Sequence, residues 1–333
     1  MLRKCLPALV FCLFVAGFVA PRAQGDPLAD LAKYSVFSSV DLSSLAGGKV
    51  LANHSTGLGF PRDLTVQAVY VVRAPLAQTL DMHKNWDAAK HPELKVYLHR
   101  DFSMHPTAAD FAVSLPDNSA ARKLIDATGK LPALADLQLS KTEAAAYKNS
   151  GPASVKDFWS QVLFHRASAF SQRGLSGAPP YDSADGSVSA AGEVSRLLKE
   201  QPKVRAAFRP IIEQSPLGGG FGSLPLLPYW EMFDVEGQGA FSLGAACSLQ
   251  SADSAQFLDL QYYASGGYYA FVTLYQMWPV TIEGKAATLV WRVDTISSLS
   301  LSDLRPFERM GSGAAMMKDV QRIINFFQKD MGR

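Results

Sequence analysis

The stretch "LQYYASGGYYAFVTLYQMWPV", Leu260 to Val280, places seven aromatic residues in twenty-one positions around a Gly-Gly pair. Side chains along a strand alternate between the two faces of a sheet. In "YYAFVTLYQMW", Tyr269, Phe271, Thr273, Tyr275 and Met277 share one face. Tyr268, Ala270, Val272, Leu274, Gln276 and Trp278 share the other. In "FLDLQYY", Leu258, Leu260 and Tyr262 alternate with Phe257, Asp259, Gln261 and Tyr263. Large apolar groups therefore point both ways, whereas a sheet with one solvated face shows polar alternation. The reading is a sheet covered on both sides. Whether the rings form a packed core or the wall of a cavity is open at this point.

Working outward, five strand-like runs follow one another: "YWEMFDVEG", "AFSLGAACSLQ", "AQFLDLQYYAS", "YYAFVTLYQMW" and "KAATLVWRVDTI". Short spacers containing Gly237 and Gly239, "SADS", "SGG" and "IEGK" separate them, which predicts an antiparallel meander. An amphipathic helix follows, read as starting at Ser312 or Gly313. Met316, Val320, Ile323 and Phe327, with Met317 and Ile324, form its apolar stripe, and the preceding sheet is the surface available to it.

Upstream, "LTVQAVYVVRA" (64–74) is a strand stopped by Pro75, a residue suited to open the helix "PLAQTLDMHKNW". A second strand, "LKVYLHRDF", begins at Leu94. From Thr107 to Gln214 the texture is helical in several pieces. The best piece, 154–174, has Ser154 as N-cap, Gly174 as terminator and Val155, Phe158, Trp159, Val162, Leu163 and Phe170 on one face. Pro202 and Pro210 break a later helical stretch, and "SPLGGGFGSLPLLP" (215–228) is a connector. The helical block is the available cover for the second face of the sheet.

This order of elements, with "VYVVRAPLAQTLDMH" (69–83) as strand-to-helix junction and 277–327 as last two strands and closing helix, resembles the helix-grip fold of START-like proteins. That superfamily includes the Bet v 1 and polyketide-cyclase families. The resemblance covers roughly 64–101 and 228–330 and rests on element order. It implies an α+β fold in which a curved antiparallel sheet is closed by a long C-terminal helix, with an inserted α-helical block. The expected division is a signal peptide at 1–25 and a wrapping segment at 26–63. The helix-grip domain takes 64–106 and 226–333, and the helical insertion with its Gly-rich connector takes 107–225.

The leader reading rests on the cationic start "MLRK", the apolar run Cys5 to Ala20 and the small residues of "AQG" before position 26. The run is shorter than the ~20 residues that span a bilayer. The expected product is exported, periplasmic or secreted, with no transmembrane segment in the mature chain. Removing Arg3, Lys4 and Arg22 from 32 basic residues leaves 29 against 30 acidic ones. So balanced a chain offers no electrostatic case for nucleic acid. Cys247 alone remains of the cysteines, in an apolar setting that suits a buried thiol rather than a nucleophile.

Familiar catalytic signatures do not fit. "GLSGA" (174–178) lacks the spacing of a nucleophile elbow, and "GGGFGS" is neither a dinucleotide fingerprint nor a phosphate loop. His83, His91, His99 and His105 lack the spacing of a zinc pair, although His99 and Asp101 share a strand face. No metal, cofactor or catalytic residue is assigned, and nothing indicates an oligomeric state. Polar residues interleaved with rings suggest a small-molecule pocket. The expected ligand-binding set is Arg292, Tyr275, Phe271, Tyr269, Gln276, Trp278, Asp259, Gln261 and Trp291, with Arg292 to meet a carboxylate or phosphate. The leading expectation is non-catalytic binding of an apolar small molecule or lipid. The alternatives are an enzyme of aromatic or polyketide-like substrates using Asp259, His99 or Glu231 as acid or base, and a structural envelope-associated module.

Overall fold

A computed structural model describes residues 26–332, apart from 56–58, 135–136, 149–150 and 184–185. The expected leader lies outside the described residues. The segment after it forms α1 (Pro27–Tyr34), α2 (Leu42–Ala46) and a short strand, β1 (Leu51–Ser55). Then come β2 (Asp63–Val72), α3 (Leu76–Asn85) and β3 (Val96–Asp101). Next are α4 (Ser119–Thr128), α5 (Lys141–Ala146), α6 (Pro152–Arg173), a small hairpin of β4 (Tyr181–Asp182) and β5 (Ser187–Val188), α7 (Ala190–Glu200), α8 (Pro202–Ala207) and α9 (Arg209–Gln214). The meander comprises β6 (Leu227–Val235), β7 (Gln238–Gln250), β8 (Ala255–Ala264), β9 (Ala270–Ile282) and β10 (Lys285–Ser297), and α10 (Pro306–Asp330) ends the chain.

The main sheet has eight strands in the order β1-β2-β10-β9-β8-β7-β6-β3. Its pairings are antiparallel throughout, and β1 and β3 are free edges, so the sheet is open. All ten residues of β2 are buried, as suits a largely apolar and β-branched strand between two neighbours, and its two polar interruptions, Asp63 and Gln67, accept hydrogen bonds from Thr65 and Trp291. The β6–β7 and β9–β10 turns each use a Glu-Gly pair: Glu236 and Gly237 have φ of 52° and 84°, Glu283 and Gly284 of 51° and 75°. Two positive φ angles match the twist of a two-residue hairpin.

The helical block covers one face. Its side of the sheet is packed solid: Phe170 stacks on Tyr262 with ring centroids 3.9 Å apart, Trp159 meets Phe241 at 5.4 Å and Phe208 meets Trp291 at 5.2 Å. The buried tryptophans there have hydrogen-bond partners, since Trp159 Nε1 donates to Thr128 Oγ1, Trp230 Nε1 to the Asp110 carbonyl and Trp291 Nε1 to Gln67 Oε1. Arg166, buried in the same layer, makes a two-pronged ion pair with Glu143 and lies 4.1 Å from the Tyr263 ring centroid. This supplies the pairing that a buried guanidinium needs. α6 begins at Pro152 rather than with Ser154 as N-cap. The Ser154 hydroxyl instead donates to the Gly151 carbonyl. Gly174 does end the helix, at φ 62°, where an added Cβ would stand 2.4 Å from the Gly220 carbonyl oxygen.

On the opposite face, α3 and α10 pack Leu76, Leu80, Val320, Ile324 and Phe327 against Tyr70, Val290, Met277, Phe257 and Tyr275. α10 starts at Pro306, nearly two turns before the expected start at Ser312 or Gly313. Glu308 accepts from both the backbone N–H and the guanidinium of Arg305. Gly313 is an interior position whose missing side chain lets the helix approach β1: a Cβ there would lie 3.3 Å from the His54 ring. Gln321 Nε2 donates to the Val50 carbonyl and Gln328 Nε2 to that of Val71. The helix is therefore tied over the β1–β2 side of the sheet, and part of the face beyond it is left uncovered.

Candidate functional site

Strand register places the site. Cross-strand partners form a row Phe257–Tyr275–Arg292–Ala68, and beside it Ala246–Asp259–Thr273–Asp294–Val66 and Gly244–Gln261–Phe271–Ile296–Leu64. These rows floor a cleft of about 340 Å3 between the sheet, α3, α10 and β3. Ile324 and Phe327 of α10 wall one side. Trp86, Leu94 and Val96 form the other rim, with Lys84 exposed at the mouth.

One end of the cleft is aromatic. His83 of α3 sits among Tyr275, Phe257 and Phe327, with ring centroids 4.7, 6.0 and 4.1 Å away. Its Nδ1 lies 2.8 Å from the Thr79 carbonyl, which can only accept. Nδ1 therefore carries the proton, and Nε2 accepts from the Tyr70 hydroxyl at 3.2 Å. Burial among these rings pulls the pKa of His83 down to about 3, so the ring is a neutral part of the wall.

The other end is polar. The Tyr229 hydroxyl donates to Asp259 Oδ1 at 2.7 Å, and no other hydrogen bond to this carboxylate occurs among the described residues. Burial raises the Asp259 pKa to about 7. The Tyr229 hydrogen bond opposes this rise and the nearby Glu231 charge adds to it. Tyr229 reaches Asp259 across Gly244, where an added Cβ would lie 2.3 Å from its ring. Any larger residue at 244 would displace the tyrosine. Gln261 Nε2 approaches the Tyr229 hydroxyl at 3.4 Å, and the Tyr268 hydroxyl donates to Gln261 Oε1.

Next to this group His99 stacks on Tyr229, with Nδ1 2.9 Å from Glu231 Oε1 and Nε2 3.2 Å from Asp101 Oδ1. Burial works against its charge, yet hydrogen bonding and attraction from the two carboxylates prevail and lift its pKa to about 9. Arg292 makes a two-pronged ion pair with Asp294 through Nε and Nη2, both at 2.7 Å, and its guanidinium carbon lies 5.3 Å from the Tyr275 ring centroid. Thr273 donates a further hydrogen bond to Asp294. The guanidinium expected to meet a ligand anion is thus already neutralised by a partner two residues along its own strand.

Of the expected ligand-binding set, Arg292, Tyr275, Phe271, Asp259 and Gln261 line the cleft. Tyr269, Gln276, Trp278 and Trp291 lie in the filled layer across the sheet, where Gln276 Oε1 accepts from Gln256 Nε2 and Trp291 is held by Gln67. Two irregularities upset the expected alternation. A bulge in the β7–β8 register leaves Tyr262 unopposed, and beyond it Tyr263 joins Tyr262 in the filled layer. β9 begins only at Ala270, so Tyr268 reaches the cleft while Tyr269 turns away. Strict counting assigned Tyr263, Tyr268 and Tyr269 to the wrong faces for this reason.

The proposed acid–base residues His99, Glu231 and Asp259 do come together in the cleft. Tyr70, His83, Tyr229, Phe257 and Phe327 line it as well, outside the expected set. Period-two alternation could have singled out Tyr70 in "VYVV" and Tyr229, two residues before Glu231 on its strand, although the contact of Tyr229 with Asp259 depends on a glycine one strand away. Cys247 is buried in the filled layer, with burial raising its pKa to about 12. No group of three or more His, Cys, Asp or Glu is placed to hold a metal ion among the described residues, and no helix there is long and apolar enough to cross a membrane. No family model, curated protein or solved structure matches the chain.

Proposed function

We propose that the protein is an exported, non-catalytic binder of an apolar small molecule or lipid, of START-like helix-grip type, with its ligand in the cleft beneath α10. The observation that carries the reading is the contrast across one sheet. A space of about 340 Å3 stays open on the α10 face while the other face is filled by rings. That volume lies near the lower end of the roughly 300–1,000 Å3 typical of small-molecule pockets, so one modest ligand fits better than a two-chain lipid. The helix-grip assignment is supported by β2 leading into α3, by β10 returning beside β2, and by α10 crossing the sheet last. Residues 107–225 would then be an insertion serving as the lining of the opposite face. Export rests on the composition of residues 1–25.

A second reading, catalysis on an aromatic or polyketide-like substrate, has an observation of its own. Burial in the cleft, beside His99 and Glu231, raises the Asp259 pKa to about 7, the range that suits a general acid or base. The envelope-module reading needs a filled sheet and an apolar patch on the helical block. Among the described residues the large exposed apolar side chains are Val36, Phe221, Leu227, Leu299, Phe307 and Met310, all outside 152–214.

Solvent extraction of the purified protein followed by mass spectrometry, with titration of a fluorescent single-chain amphiphile, tests the binding reading. Co-purified ligand or saturable binding is expected. An empty extract together with no binding would sink it.

A further inference from the structure

We infer that the polar end of the cleft is an organic-cation site: the ligand carries a protonated amine or quaternary ammonium head that rests on the Asp259 carboxylate, among the rings of Tyr229, Tyr268 and Phe271. The inference rests on the binding reading of the cleft and specifies the head group.

The charges decide it. Arg292 is neutralised by Asp294, and His99 by Glu231 and Asp101. Lys84 stands at the exposed mouth. Asp259 is different, for its one partner among the described residues is the neutral Tyr229 hydroxyl. The titratable groups around it from the surrounding elements are Tyr229 and Glu231 of β6, His99 and Asp101 of β3, Tyr70 of β2, Tyr275 of β9, Arg292 and its partner Asp294 of β10, Tyr268 before β9, and His83 and Lys84 of α3. α10 contributes only Ile323, Ile324 and Phe327. Every cation within reach is thus committed to another carboxylate or sits at the rim. A carboxylate or phosphate head would find no free positive charge in the interior and would face Asp259 and Glu231.

The rings supply the rest of the site. Phe271 is a diagonal cross-strand neighbour of Asp259, because Gln261 pairs with Phe271 and Asp259 with Thr273. The Tyr268 ring meets Phe271 and Phe233 with centroids 5.9 Å apart in each case. Aromatic faces around a carboxylate are the chemistry that holds ammonium groups. Burial also raises the Asp259 pKa to about 7, so an incoming cation replaces a proton. A permanently charged ligand should therefore bind more tightly as pH rises through about 7, while His99, at about 9, keeps its own pairing.

Calorimetric titration with octyltrimethylammonium, octanol and octanoate at pH 8 and pH 6 tests this. The cation should bind roughly tenfold more tightly than octanoate at pH 8 and lose most of that advantage at pH 6. Asp259→Asn, which keeps the shape and still accepts from Tyr229, should lose the cation preference, so that cation and octanol bind the variant about equally. Phe271→Leu should weaken cation binding severalfold more than it weakens octanol binding. Octanoate binding as well as the cation at pH 8, or a cation preference that survives Asp259→Asn, overturns the head-group assignment alone. Binding of none of the three overturns the reading of the cleft and this inference with it.

Discussion

The two faces of the sheet are built from the same strands and similar residues, yet only one is closed. On the helical-block side, Trp159, Phe170, Phe208 and Trp291 fill the space over the meander, and Arg166 and Gln256 find partners within the layer. On the other side α10 is held toward β1 and β2 by Gln321 and Gln328, and the rings of Phe257, Tyr275 and Phe271 face a gap. Aromatic content alone thus does not separate a packed core from the wall of a cleft. Placement of the covering helix does.

The largest expected effect probes the filled face. Trp159→Ala should destabilise the fold by about 3–5 kcal/mol, as large-to-small changes in close-packed cores do. Denaturant unfolding measures it, and a cost below about 1 kcal/mol would mean this face is not solid. Phe271→Ala, on the cleft side and half-buried, should cost only about 1 kcal/mol because its surroundings already border open space.

Between these lies an electrostatic effect. The Asp259 pKa is raised to about 7 in the folded protein from the ordinary carboxylate value, so the folded state binds the extra proton between about pH 4 and pH 7. Stability from this group therefore falls as pH rises through that window. Asp63, raised to about 6 chiefly by burial, acts in the same direction. His99 contributes stability that is present below about pH 6.5 and lost as pH rises through about 9. His83, lowered to about 3, works the other way, its contribution disappearing as pH falls from about 6.5 toward 3. Asp259→Asn should match the wild type near pH 4 and exceed it by about 1–3 kcal/mol at pH 8. Thermal melts across pH check this, and a variant no more stable at pH 8 would contradict the burial of the carboxylate.

Much of this architecture is legible in the residues. The five meander strands, the strand-to-helix step at Pro75 and the apolar stripe of α10 come from local periodicity, which packing on a covered sheet reinforces. What local periodicity misses depends on partners distant in sequence. The short polar strand "LANHS" becomes β1 only by pairing with β2. The "GSG" inside α10 looks like a helix start because its reason, contact with His54, lies 259 positions away. The site follows the same division. Arg292, Asp259, Gln261, Phe271 and Tyr275 are found by strand alternation. The bulge at Tyr262 and the late start of β9 move Tyr263, Tyr268 and Tyr269 to the opposite faces, and no residue pattern marks either event.

Filling the gap is the most direct test of the contrast between the faces. Ala246 lies in the cleft floor beside Asp259, and Ala246→Phe would place a ring in the open space without entering the packed layer. Titration of this variant with the fluorescent amphiphile, alongside its melting temperature, gives both readouts. The account predicts loss of binding with a melting temperature unchanged or raised. Undiminished binding, or unfolding as severe as that of Trp159→Ala, would show that the space beneath α10 is not the binding cleft proposed.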